Sequence, residues 1–383
     1  MDKRIFPLAL GGLAIGTTEF VIMGLLPDVA HSLDISIPQA GHLISAYAFG
    51  VVVGAPILVA YAAKFPPKRI LIFLMIAFTL FNGLSALVND YYTMMAVRFL
   101  SGLPHGAFFG VGAVVSSRLA KPGKQAQSIA MMFTGLTVAN LAMVPFVTWL
   151  GHQLSWRYAF GVVALIGLLT LIFLKFLLPY MDSLRTTTLK DELEFFKTQK
   201  SWHIIAITAI GFGGLFAWFS YITPLMTTVS KFPTDFIAYI MILAGAGMVI
   251  GNFLGAIMAD RMRPALAAAI LLSAMILALV GVFFFSENKI ASLILTFVCG
   301  VLSMAVGTPV NIIMLRSAKN SEMMAAAFMQ AAFNVGNSIG ALFGGIPLEF
   351  GLSYNYPSLV GAGLALTGFV LCLTFIRKYK PVI

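Results

Sequence analysis

Charge is what this chain has least of. Only 10% of its 383 residues are charged, against about 25% in a soluble domain, so a water-exposed globular surface is excluded. Acids are the scarcer sign, 14 against 24 Lys and Arg, and just one of them, Glu19, falls deep inside an apolar run. The two cysteines, Cys299 and Cys372, both lie in apolar runs and behave as small apolar side chains, which excludes a disulfide framework. No nucleotide, metal or nucleophile motif occurs, so neither an enzyme nor a cofactor or metal is expected. The net charge of +10 would suggest a nucleic acid if the basic residues clustered. They fall between apolar segments instead, where they report membrane topology.

What the chain has in abundance is hydrocarbon: 60% of the residues are hydrophobic. Twelve runs are long enough to cross about 30 Å of bilayer core. They are Ile5 to Ala30, Pro38 to Ala63, Ile70 to Val88, Tyr92 to Ser116, Ser128 to Leu150 and Tyr158 to Leu178, then Trp202 to Val229, Phe236 to Met258, Ala265 to Phe285, Ile290 to Leu315, Met323 to Ile346 and Ser358 to Ile376. None alternates in polarity as a barrel strand does. The start, Met1-Asp2-Lys3-Arg4, leads into a run too long for a signal-peptide core, so it is expected to remain as the first span. One set of connections carries Lys3, Arg4, Lys64, Lys68, Arg69, Arg118, Lys121 and Lys124 and their later counterparts; the opposite set has only Arg157, Lys231 and Lys289. Both termini are therefore expected in the cytoplasm.

A single long polar connection divides the twelve into two sixes. The expected organisation is a bundle over residues 1–179, a linker over 180–201 and a second bundle over 202–383. Within the linker, Thr188 and Asp191 resemble a capping box, with Leu189, Leu193 and Phe196 on one face of a short helix. An internal repeat supports the division. An offset of 197 places Pro27 on Pro224, Gly54 on Gly251, Lys64 on Arg261 and Asn140 on Asn337, and an offset of 198 places Leu154-Ser155-Trp156-Arg157-Tyr158 on Leu352-Ser353-Tyr354-Asn355-Tyr356. Duplicated units of this kind meet at a midplane substrate site.

Several motifs then occur in a specific order: Gly16-Thr17-Thr18-Glu19-Phe20 with Gly24-Leu25-Leu26-Pro27, Arg98-Phe99-Leu100-Ser101-Gly102-Leu103-Pro104-His105-Gly106, Pro122-Gly123-Lys124, Ser155-Trp156-Arg157-Tyr158 and Phe333-Asn334-Val335-Gly336-Asn337. In this the chain resembles the major facilitator superfamily, in its twelve-helix drug:proton antiporter branch and the arabinose-type sugar efflux permeases, along essentially its whole length. The resemblance implies an all-α membrane fold of two pseudo-symmetric six-helix bundles in a monomer. It also implies proton-coupled efflux of a small organic compound, such as a sugar, glycoside or drug, through the cytoplasmic membrane. Uptake by proton symport, and a transport-inactive receptor or scaffold, remain open at this point.

Two departures from that pattern matter. The loop after the second span reads Ala62-Ala63-Lys64-Phe65-Pro66-Pro67-Lys68 where the family carries an acidic latch, so a cytoplasmic latch would have to use Asp260 and Arg261 with Lys64, Lys68 or Arg69. The fifth span keeps Gly135 and Pro145 but has Met143 and Val147 at two glycine positions, which the repeat maps onto Gly340 and Gly344.

Candidate chemistry centres on Glu19, because a carboxylate at membrane depth costs about 2.5–3.5 kcal/mol to insert and is by default functional. Counted from the helix ends, Glu19 and Arg98 both lie about 21 Å from the cytoplasmic face. His105 is two turns below Arg98 on the same face. A proton-coupling ladder of Glu19, Arg98 and His105 is expected from this. His105, Asn140, Asn334 and Asn337 suit either substrate contact or interhelical hydrogen bonding. Glu19 maps onto Phe216 in the ring-rich stretch Phe216-Ala217-Trp218-Phe219-Ser220-Tyr221, so Phe216, Phe219 and Tyr221 suit either an aromatic substrate wall or helix packing.

Overall fold

The computed structural model describes residues 3–62, 64–122, 124–182, 197–317 and 322–379. The linker helix expected around Thr188 and Asp191 lies outside them. The described chain is helical throughout its spans, and eleven of these helices are long and apolar enough to cross a membrane. Span 1 is Phe6–Gly24 continued by Leu26–Ser32, span 2 Ile37–Ala62, span 3 Pro67–Ser85 and span 4 Tyr91–Leu119. Span 5 comprises Gln125–Val138, a π-turn Ala139–Met143, and Val144–Gln153; span 6 is Trp156–Leu177. Span 7, Gln199–Phe219, continues through Ile222–Pro224 into a π-turn Leu225–Val229. Spans 8 to 12 are Ile237–Arg261, Pro264–Phe285, Lys289–Ser317, Glu322–Glu349 and Tyr356–Lys378. Span 11, Glu322–Glu349, is the helix that completes the two sixes. Each expected run thus falls on a helix.

The twofold repeat survives as repeated packing. Gly50 and Gly54 of span 2 press on the Phe99 and Leu103 carbonyls of span 4, and Gly247 and Gly251 of span 8 press on the Phe297 and Val301 carbonyls of span 10. The partners correspond at offsets of 197 and 198. A side chain at any of these glycines would collide with backbone, which cannot move aside as a flexible side chain can. Small residues allow this close approach, and within a bilayer close packing supplies much of what holds helices together. The packing surface expected at Gly340 and Gly344 is present too. A Cβ at these positions would sit 2.7 Å and 2.8 Å from the carbonyl oxygens of Gly213 and Ala217 in span 7.

Prolines explain three interruptions that run length alone does not indicate. Pro27, Pro145 and Pro224 each lack an N–H and crowd the carbonyl four residues earlier. Span 1 breaks at Gly24–Leu25, span 5 loosens into its π-turn, and span 7 breaks at Ser220–Tyr221. The carbonyls freed in span 1 are not left bare. Thr223 of span 7 shares its hydroxyl hydrogen between Met23 and Gly24 oxygens, at 2.9 and 3.0 Å, so the break in one half is satisfied by the other.

That bond belongs to a seal. At the end of the bundle away from Arg118, Tyr221 donates to the Ala341 carbonyl at 2.7 Å and fills the space over Gly41 and Gly345. Ser45 of span 2 donates to the Ser338 carbonyl of span 11 at 3.0 Å. The Gln153 amide reaches Asp235 at 3.1 Å. Gly245 of span 8 lies against the Asn140 carbonyl in the π-turn of span 5. The Tyr221–Ala341 bond lies within the second half and fixes the ring that presses on Gly41 of the first; that contact and the other three join the two halves.

Candidate functional site: a cavity with one buried carboxylate

Beneath the seal the halves separate around a cavity of about 610 Å³, within the range of small-molecule sites. Its mouth lies where Arg118, Asn311 and Leu315 are exposed, the end that carries the basic connections. Phe20, Phe133, Phe212 and Phe333 line it with Met248, Met304 and Met329, and between these rings and thioethers stand Asn140, Asn252, Gln330 and Thr308. Among the described residues Glu19 is the one carboxylate on the wall.

Glu19 is 3% exposed. Its carboxyl group lies against the side-chain amide of Asn334 and within electrostatic reach of Arg98, and Oε1 has no hydrogen-bond partner. An unpartnered buried oxygen is costly, and this one belongs to a residue on the cavity wall. Phe20, the next residue, sits against Phe216 and Phe219 of span 7 at centroid distances of 6.3 and 6.0 Å. These rings form the ceiling between the cavity and the seal.

Arg98 shares the expected depth but faces another direction. It is fully buried within the first bundle and has no carboxylate within 4.0 Å among the described residues. Its guanidinium donates to the Thr18 hydroxyl at 3.1 Å and the Thr18 carbonyl at 3.3 Å. It stacks over Tyr47, 4.4 Å from the ring centroid, with Phe160 at 5.4 Å. Thr18 passes the interaction on by donating to Asn82. The positive charge is thus held by ring faces and dipoles, beside Glu19 and not paired with it.

His105 joins the same network through Tyr47, whose hydroxyl is 3.0 Å from Nδ1. Its Nε2 is buried and unpartnered. Tyr47 therefore stands between Arg98 and His105, a link that spacing along span 4 could not disclose. If this bond organises the network, Tyr47→Phe leaves the imbalance of a lost partner at Nδ1, a cost of about 1 kcal/mol. Thermal unfolding of the purified variant should show a lower Tm; an unchanged Tm would mean that Nδ1 finds another partner.

The remaining expected residues divide between wall and interior. Asn140 lines the cavity from the π-turn, a helix defect common at functional sites. His105, Phe216, Phe219, Tyr221, Asn334 and Asn337 lie off the wall, with Phe333 and Gln330 presenting span 11 there instead. Asn337 is fully buried and neither of its amide atoms has a partner. Lys68 caps the end of span 6, donating to the Lys175 carbonyl at 2.7 Å and to that of Leu178. Lys64 lies over the Tyr61 ring. Asp260, Arg261 and Arg69 are exposed, and Asp260 has no cation within 4.0 Å among the described residues. Asn252, Asn311, Thr308 and Gln330 went unmarked in the sequence because single polar residues within long apolar runs carry no spacing signal.

Comparison with known proteins agrees with this geometry. The family model described as Major Facilitator Superfamily matches residues 8–326. The "Putative transporter AraJ" of Escherichia coli (strain K12) is 41% identical over 380 residues, covering 99% of this chain and 96% of that protein. The "Probable sugar efflux transporter" of Helicobacter pylori (strain ATCC 700392 / 26695) is 29% identical, covering 98% and 96%. Among solved structures, a bacterial homolog of the human lysosomal transporter Spinster, in an inward-facing and unoccupied conformation, superposes with a TM-score of 0.78 at 13% identity over 99% of this chain and 98% of that one. With the whole chain matched in sequence and its two-bundle fold matched in structure, this multi-pass membrane protein belongs to the major facilitator superfamily and is a transporter.

Proposed function

We propose that the chain exports a small organic compound in exchange for protons, working as a monomer by alternating access in the cytoplasmic membrane, with both termini inside. The observation that carries this reading is Glu19: a single buried carboxylate on the wall of a cavity open at one end, with Oε1 facing no protein partner. Such a group can hold a proton or a substrate polar group in turn, which is the requirement for exchanging one against the other. The basic connections support the orientation, and the name of the Helicobacter pylori relative supports efflux of a sugar-like compound. The halves, residues 1–179 and 202–383, would rock about the ceiling formed by Phe20, Phe216 and Phe219. Asp260 and Arg261 stand at the open end together with Lys64, Lys68 and Arg69, so a charge latch among them would form only as that end closes.

Proteoliposomes with an imposed pH gradient test the reading. Pentoses, glycosides and chloramphenicol are offered outside, with the orientation of the protein read from impermeant thiol labelling of Lys124→Cys. Accumulation on the acidic side, accompanied by proton efflux from it, is the expected result. Accumulation on the alkaline side would make the carrier a symporter, and gradient-independent equilibration of every compound would remove the proton from the mechanism.

A further inference from the structure

The two flanks of the cavity are unequal. On one flank, span 11 lies against spans 2 and 4 along its length. Ser45 and Ser338 meet near the seal. Toward the basic end, Met324, Ala327 and Ala331 are buried in one apolar cluster with Ala55, Val59, Ala107 and Val111. On the other flank, spans 5 and 8 touch where Gly245 crosses the π-turn and beyond it toward the seal, whereas residues 125–138 of span 5 hardly meet span 8. The edges of this gap are Ile129, Phe133 and Thr137 on span 5 and Met248, Val249 and Asn252 on span 8, and all six also line the cavity. Asn252 is exposed beside Ile250 and Phe253, which are 49% and 68% exposed. A polar side chain among lipid-facing apolar ones is expensive unless it borders a hydrated or ligand-bearing space.

The geometry points to a lateral portal between spans 5 and 8, through which an amphiphile dissolved in the leaflet on the basic side enters the cavity without first passing through bulk water. This rests on the transport reading for what the cavity is for. It also sets the chemistry of the occupant. Acyl chains are as apolar as the rings of a protein, so moving an apolar body from the bilayer to a place among Phe133, Phe212, Phe333 and Met248 gains little. Discrimination therefore falls to the head group, which meets Glu19, Asn140, Asn252 and Gln330. A neutral hydrogen-bonding head or a cationic one fits this set. An anionic head would face the Glu19 carboxylate.

The full-length protein with Cys299→Ser and Cys372→Ser tests the portal when a bimane label is attached at Thr308→Cys, on the cavity wall contributed by span 10. It is placed in nanodiscs of phosphatidylcholine with or without bromine on the acyl chains. Bromine should quench the label strongly. Val249→Trp at the rim should remove that quenching while leaving quenching by aqueous iodide unchanged. Quenching by iodide alone in the parent protein would overturn the portal, as would bromine quenching that Val249→Trp leaves intact. The function is read separately, from proton-driven loss of signal by a bisbenzimide dye that fluoresces in the bilayer and not in water. Bromine quenching without pH-gradient-driven movement of any compound would defeat the transport reading and leave the portal standing. Gradient-driven transport without bromine quenching would do the reverse.

Discussion

Glu19→Gln should abolish uphill transport driven by a pH gradient while leaving ligand binding and downhill exchange in place. The substitution keeps the shape of the side chain and a hydrogen bond to Asn334, whose amide lies against the carboxyl group, and it fixes the site in an uncharged form that can neither load nor release a proton. A gradient of one pH unit supplies about 1.4 kcal/mol, enough for about tenfold accumulation at one proton per substrate. The variant should show none. Thermal stabilisation by ligand, which depends only on binding to the folded protein, should persist. Concentrative transport by Glu19→Gln at the wild-type rate, still dissipating the gradient, would sink the assignment. His105, with its unpartnered Nε2, would then be the next group to test.

The second large effect is expected at Gly245. A β-carbon there would overlap the Asn140 carbonyl oxygen and approach the Leu141 Cα at 3.1 Å, and both obstacles are backbone. Gly245→Val must therefore open the crossing of spans 5 and 8 at the sealed end. Overpacking of this kind costs about 1–3 kcal/mol, enough to shift a two-state equilibrium by about 5-fold to more than 100-fold. The cost falls only on the state in which the crossing is closed, so the carrier should move toward the state open at that end. Spin labels at Gln153→Cys and Asp235→Cys, residues whose side chains touch in the sealed form, should lose their short-distance population. An unchanged distance distribution would mean that the crossing is not part of the gate. Gly247, two residues on, points to span 10 within its own half, so a comparable substitution there should disturb the bundle and not the gate.

Much of this architecture was legible before any coordinates. Run length places the spans because burying a helix in lipid is decided by its own hydropathy. The repeat was visible in Pro27 and Pro224, Gly54 and Gly251, and the structure turns these matches into two helix breaks and two glycine contacts. Glu19 stood out because one carboxylate in an apolar run needs a reason. The breaks were not legible in the same way, since Pro56, Pro104, Pro309 and Pro347 also deprive a carbonyl four residues earlier and lie inside unbroken helices.

Direction is what the sequence withholds. A rise of 1.5 Å per residue converts position into depth, and depth alone put Glu19, Arg98 and His105 together. Whether side chains at one depth meet depends on how each helix is rotated and tilted, and neighbouring helices set that. So the tertiary structure alone decided that Arg98 turns to Thr18 and the Tyr47 ring while Glu19 turns to the cavity and Asn334. It also decided that Thr223 closes the break in span 1 from the other half, and that the wall of the cavity is shared by residues from at least seven spans. Sequence determined which segments enter the membrane, because each does so on its own composition. Packing determined which faces meet, because in a bilayer most helix surfaces are apolar enough to face lipid, and the fit of small residues and the pairing of buried polar atoms distinguish one neighbour from another.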